Sequence, residues 1–183
     1  MCRRPDRIGE ILLEANPDSA YILLNEVKTP DRLNERQFAR WCMLYCRAAD
    51  KLFKDMLYTE QLDRALVWYK SHGAAEQQAW MGLYLGRSYV KDKLFIPAMK
   101  AYSDALSLAK EKYLYDVAGY ICSYMADLYT YTGQRSEERR KFEEAAEFFK
   151  QAGNERSYAF ALRDVAKTWA FDDSLSLALH YML

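Results

Sequence analysis

"YLGRSYVKDKLFIPAMKAYSDAL", residues 84 to 106, decides the fold. Almost every residue in it favours a helix, yet it contains Gly86 and Pro97. In a helix interior these cost roughly 1 and 3 kcal/mol. Sliding the chain against itself by 40 residues explains both. Trp80 falls on Tyr120 and Phe160, Leu85 on Met125 and Val165, Gly86 on Ala126 and Ala166, and Tyr89 on Tyr129 and Trp169. These positions share one side of a helix. Further along, Ala98, Tyr102 and Ala105 recur as Glu138, Phe142 and Ala145, and the third copy supplies Ala178 and Met182. Short polar stretches, "KDK" at 91 to 93 and "TGQRSE" at 132 to 137, separate the two halves. The repeating unit is therefore a helical hairpin. Gly86, Ala126 and Ala166 are small because a partner helix crosses there. Pro97 opens the second helix, where its missing N–H has no intrahelical partner to lose.

Composition agrees with a soluble helical chain. Of 183 residues only 7 are glycine and 4 proline, too few for the turns of an all-β protein. There are 26 basic and 26 acidic residues, so no overall field attracts nucleic acid or acidic lipid. The two arginines of "MCRRPDR" are too few for nucleic-acid binding. The uncharged runs at 77 to 86 and 117 to 126 fall well short of the ~20 residues of a spanning helix. Tyrosine, at 15, suits either a binding surface or packing at helix boundaries.

The spacing Leu85-Gly86-x2-Tyr89, Ala98-x3-Tyr102 and Ala105 resembles the tetratricopeptide repeat (TPR). Met125-Ala126-x2-Tyr129 with Phe142 and Ala145 is a second copy, and Val165-Ala166-x2-Trp169 with Ala178 a third. Two departures stand out. Gly82 occupies the early tryptophan position, and the period is 40 rather than 34. The additional residues lengthen either the helices or their connections. The resemblance implies an all-α, right-handed superhelix of antiparallel hairpins, a TPR-like α-solenoid of about ten helices. Its expected segments are a short hairpin over 1–30, a degenerate repeat over 31–73, repeats over 74–112 and 113–152, and an incomplete repeat over 153–183. Within the first, Asn16-Pro17 breaks the chain, with Asp18 or Ser19 as cap, and Thr29-Pro30 is a further break. Gly73 and Gly153 are expected as left-handed helix caps.

The order "ANPDSAYILLNEV", "RWCMLYCRAADKLF", "VWYKSHG" and then repeats also resembles the TPR regions of Bacteroidetes sensor and regulator proteins. That resemblance implies a non-catalytic protein- or peptide-binding scaffold, the sensor or interaction region of a bacterial regulatory protein. The alternative is a homo-oligomerisation module of a larger signalling or transcription-regulating protein. The unfinished repeat at "LALHYML" implies a fragment, or an end packed against another subunit. If Cys2 is an acylated lipobox cysteine, the region is periplasmic or membrane-anchored; otherwise it is cytoplasmic.

No GxSxG, HExxH or glycine-rich phosphate loop occurs, and neither a cofactor, a metal nor a catalytic residue is expected. Cys42 and Cys46, four apart on one helix, point nearly parallel and disfavour a disulfide. With Cys122 they read as small buried hydrophobes. "ERRKFEE" at 138 to 144 reads as a solvated charged face, and Asp172-Asp173 as a helix start. Carrying the family's groove positions onto this chain gives Leu83, Arg87 and Val90, then Ser123, Asp127 and Tyr131, then Arg163, Lys167 and Phe171. Leu83 and Asp127 do not fit the set that clamps a chaperone's terminal carboxylate. A segment with acidic ends and an apolar centre suits these residues better.

Overall fold

The computed structural model describes residues 12–172 and 174–182. Every regular element among them is helical. They form two compact units, one ending at Lys93 and the other beginning at Leu94. Cys2 and Asp173, named above as a lipid-anchor candidate and as part of a helix start, lie outside the described residues.

In the first unit, α1 covers residues 12–15 and α2 runs Pro17–Asn25. The break between them falls at Asn16-Pro17, as expected, but the cap is Asn16 itself. Its side chain accepts from the Ser19 N–H at 3.0 Å, so Ser19 is the donor rather than the cap. A single 3₁₀ turn, Pro30–Arg32, follows the Thr29-Pro30 break. Then come α3 (Glu35–Lys51), α4 (Thr59–His72) and α5 (Ala75–Lys91), each packed on the one before. Phe38, Cys42 and Cys46 of α3 and Leu62 and Ala65 of α4 are completely buried.

The second unit holds α6 (Phe95–Glu111), α7 (Tyr115–Tyr131), α8 (Arg135–Ala152), α9 (Glu155–Phe171) and α10 (Leu175–Met182), again packed in sequence. Pro97 sits in the first turn of α6. Ala126, with no exposed surface, packs in one cluster with Phe142 of α8 and Val165 of α9. The tiny position of the repeat is thus where neighbouring helices close on α7. Gly119, one row away, serves the same end: a β-carbon there would stand 2.6 Å from the Phe149 ring. Glu138, at the position where Ala98 stands in the repeat before, accepts from Thr130 Oγ1 at 2.9 Å and so ties α8 to α7.

The long period is carried by the helices. First helices α3, α5, α7 and α9 are all 17 residues long, and the connection from α7 to α8 takes only residues 132–134.

Three expectations are corrected. Gly153 takes the left-handed conformation with φ +70°, but Gly73 is extended, with φ −96° and ψ 158°. At Gly73 the constraint is space: a β-carbon would lie 2.4 Å from Tyr69 Cδ1 and 3.0 Å from the Tyr69 carbonyl oxygen. The "ERRKFEE" run is not a solvated face. Lys141 is buried and bonds Glu144 at 2.6 Å, and Arg139 is drawn into the joint with α9. α8 packs on α7 and on α9, so much of its charge lies in seams rather than in water. Asp172 turns back to pair with Arg139 and, at 3.7 Å, with Arg135, instead of serving the start of α10.

Candidate functional site

In each repeat the first helix carries the candidate groove residues, and their spacing by about four places them on one strip of that helix. In the first unit the strip is largely closed. Leu83 is completely buried and belongs to the core, because its position on α5 faces inward, so it offers nothing to a ligand. Val90 is half-buried. Arg87 pairs with Asp50 of α3, both side chains mostly covered.

What the first unit does present is a recess of about 210 Å3, lined by Arg40, Met43, Leu44 and Arg47 of α3, Tyr69 of α4, and Glu76, Gln77 and Trp80 of α5. Met43 and Arg47 stand 40 residues before the candidate groove residues Leu83 and Arg87, and Arg40 stands 40 before the repeat's early aromatic, Trp80. The Trp80 ring stacks on Tyr84, centroids 5.8 Å apart. Arg47 reaches Glu14 at 3.4 Å, and both are well exposed. Gln77 is fixed by accepting from the Ala74 N–H at 3.0 Å. Two guanidinium groups beside an indole and a methionine suit an acidic segment with an apolar side chain. Sequence reading missed this recess because the signature residues fade before Trp80. Extending the 40-residue alignment back by one period would have found it.

In the second unit the strips are more open. On α7, Ser123 is half-buried and donates to the Gly119 carbonyl at 3.1 Å, while Asp127 and Tyr131 are exposed. The Tyr131 ring stacks on Phe95. On α9, Arg163 and Lys167 both bond Asp164, each at 2.9 Å, so one carboxylate neutralises two of the expected cations. Phe171 is exposed, with the Arg135 guanidinium 5.1 Å from its ring centre.

Titratable chemistry in the core is quiet. Burial pushes the Cys46 and Cys122 thiols up to about 12, and Cys42 higher still. They stay protonated and free near neutrality, packed as small apolar groups. Among the described residues no group of three or more His, Cys, Asp or Glu is placed to hold a metal ion. No helix there is long and apolar enough to cross a membrane.

No family model and no curated protein matches the chain. Solved structures do. The apo form of RapI superposes with a TM-score of 0.71 at 15% identity, over 94% of this chain and 64% of that one. A signal transduction ATPase with a tetratricopeptide repeat sensor, from Pyrococcus horikoshii, gives 0.68 at 14% identity, over 96% of this chain and 28% of that one. TPR-like repeats of a putative kinesin light chain from Podosopora anserina give 0.66 at 13%, over 97% and 89%. The chain thus spans 64% of the length of RapI. At these identities the likeness is one of fold, and the fold is the TPR-like α-solenoid.

Proposed function

We propose that this chain is a non-catalytic scaffold that binds a protein or peptide segment through the first helices of its hairpins. The observation that carries this reading is the Arg40–Arg47–Trp80 recess of the first unit. It joins cations, an indole and an apolar side chain, and two of its residues, Met43 and Arg47, stand one period before the candidate groove residues Leu83 and Arg87. In the second unit the exposed rings of Tyr131 on α7 and Phe171 on α9 offer aromatic surface of a similar kind. The segment that fits is short and acidic, with an apolar or aromatic residue inside it. Its carboxylates would take over Arg47 from Glu14 in the first unit, and a segment of the same kind bound to the second unit would take over Arg163 and Lys167 from Asp164. Both carboxylates hold these cations in exposed or partly exposed ion pairs worth little in water.

The further proposal, that this scaffold is the sensor or interaction region of a bacterial regulator, draws on the fold shared with a TPR sensor of a signal transduction ATPase. Peptide arrays and pull-downs with Arg47→Glu, Asp127→Lys and Arg163→Glu test the binding reading. Each variant changes an exposed or half-exposed charge and leaves the core intact. Weakened capture of acidic segments by Arg47→Glu supports the scaffold. Capture that all three substitutions leave unchanged removes the proposed surface.

A further inference from the structure

The joint between α6 and α7 and the joint between α8 and α9 are the same place in two successive repeats, filled in different ways. In the later joint Arg139 lies with its guanidinium carbon 3.5 Å from the centre of the Trp169 ring. It donates to Thr168 Oγ1 at 2.9 Å and to the Thr168 carbonyl at 3.3 Å, and it pairs with Asp172. One turn earlier Arg135 covers Phe171. The chain closes this joint with its own side chains.

Forty residues earlier the corresponding residues are Met99 for Arg139, Tyr129 for Trp169, Leu128 for Thr168 and Thr132 for Asp172. Phe95 replaces Arg135, and its ring stacks on Tyr131 at 6.2 Å where Arg135 covers Phe171. The register is therefore preserved. Met99 lacks the length and charge of Arg139, and no carboxylate stands at 132 to draw a side chain across. The joint is left with a recess of about 350 Å3, lined on its apolar side by Phe95, Ile96, Met99 and Tyr129. Ile96 is 86% exposed, although it lines an apolar hollow.

We infer that this recess docks a partner protein segment that inserts one large apolar side chain, with a carboxylate nearby that pairs with Lys100. The aromatic and aliphatic lining selects the apolar side chain. Charge selects its neighbour. Lys100 is the only charged residue among the described residues lining the recess. An incoming lysine or arginine would meet that cation without the carboxylate that Asp172 provides in the later joint. The lining shares no residue with the recess of the first unit, so this site stands independently of the binding strip proposed above.

The test is an array of short synthetic peptides with one central Leu, Met or Phe, flanked by Glu or by Lys, probed with the full chain and followed by fluorescence polarisation. Glu-flanked peptides should bind about tenfold more tightly than their Lys-flanked counterparts, and Ile96→Asp should weaken them by about tenfold. Met99→Arg combined with Thr132→Asp recreates the closed joint and should abolish binding without lowering the melting temperature. Arg47→Glu, in the other unit, should leave this binding unchanged. The proposal is overturned if no apolar-centred peptide binds, if flanking charge makes no difference, or if the double variant still binds. It also falls if Ile96→Asp turns a dimer into a monomer in light scattering, because the recess would then be a contact between copies.

Discussion

The hairpin of α3 and α4 and the hairpin of α7 and α8 are the same unit under different sequence constraints. Glu35 opens α3 and Tyr115 opens α7, in register with Ala75 of α5, and all three helices have 17 residues. Yet α3 has lost the signature: Arg40, Tyr45, Cys46 and Ala49 stand where α7 has Tyr120, Met125, Ala126 and Tyr129. Cys46 and Ala49 remain completely buried, as Ala126 does. The second helices differ more. α8 begins after a three-residue turn, whereas α4 begins at Thr59 after an irregular stretch over 52–58. Met56 and Leu57 in that stretch are buried, and the Leu57 carbonyl accepts from Ser88 Oγ of α5 at 2.7 Å. Helix length and small buried side chains keep the register. The motif itself is dispensable, provided that new contacts hold the longer connection.

The sharpest way to break this comparison is Ser88→Ala. It leaves the buried Leu57 carbonyl without its hydroxyl partner and should cost about 1–3 kcal/mol in urea unfolding. A loss near zero would mean that Met56 and Leu57 hold the irregular stretch by packing alone.

A smaller effect separates the turns. Phe53, Lys93 and Gly133 occupy the same position after α3, α5 and α7, with φ of +54°, +59° and +70°. Only the last is glycine. Phe53 is 95% exposed, so Phe53→Gly sacrifices almost no burial. It should stabilise the protein by about 1 kcal/mol, while Gly133→Ala should lose a similar amount. Denaturant midpoints that move in the same direction for both would refute the equivalence of the turns.

The smallest difference is electrostatic. Burial raises the Glu144 pKa, but hydrogen bonds from Lys110 of α6 and Lys141 of α8 outweigh it, so the folded value lies below the ordinary 4.5. In the first unit Lys51 lowers Glu14 in the same sense from a far more exposed position. A lowered carboxylate adds stability that is complete above the ordinary glutamate range and is lost as pH falls through the lowered pKa. Glu144→Gln should therefore reduce stability at neutral pH and flatten its decline below about pH 4.5. Glu14→Gln should do the same to a lesser degree. Equal effects would show that the bridging position of Glu144 adds nothing.

Much of this architecture was legible in residues 84 to 106. The 40-residue return of an apolar stripe, the tiny residue within it and a proline in a first turn are all local consequences of helical geometry. They gave the hairpin, its period and the left-handed Gly153. They did not give Gly73, whose constraint is the nearby Tyr69 ring, nor the burial of Leu83 and Lys141. The candidate strip was only half legible, because spacing places a residue on a face without saying what faces it. Asp164 holds Arg163 and Lys167, and Asp50 holds Arg87.

The sequence by itself determined the helical hairpin, its period and which side of each helix is apolar, because propensity and periodicity act within a few residues. Tertiary structure decided which charges are already satisfied and which joints are filled. Arg139 closes one joint on Trp169, and Met99 leaves the equivalent joint open beside Tyr129. That difference depends on side-chain reach and on a carboxylate supplied from the neighbouring helix, and it exists only once the helices are packed.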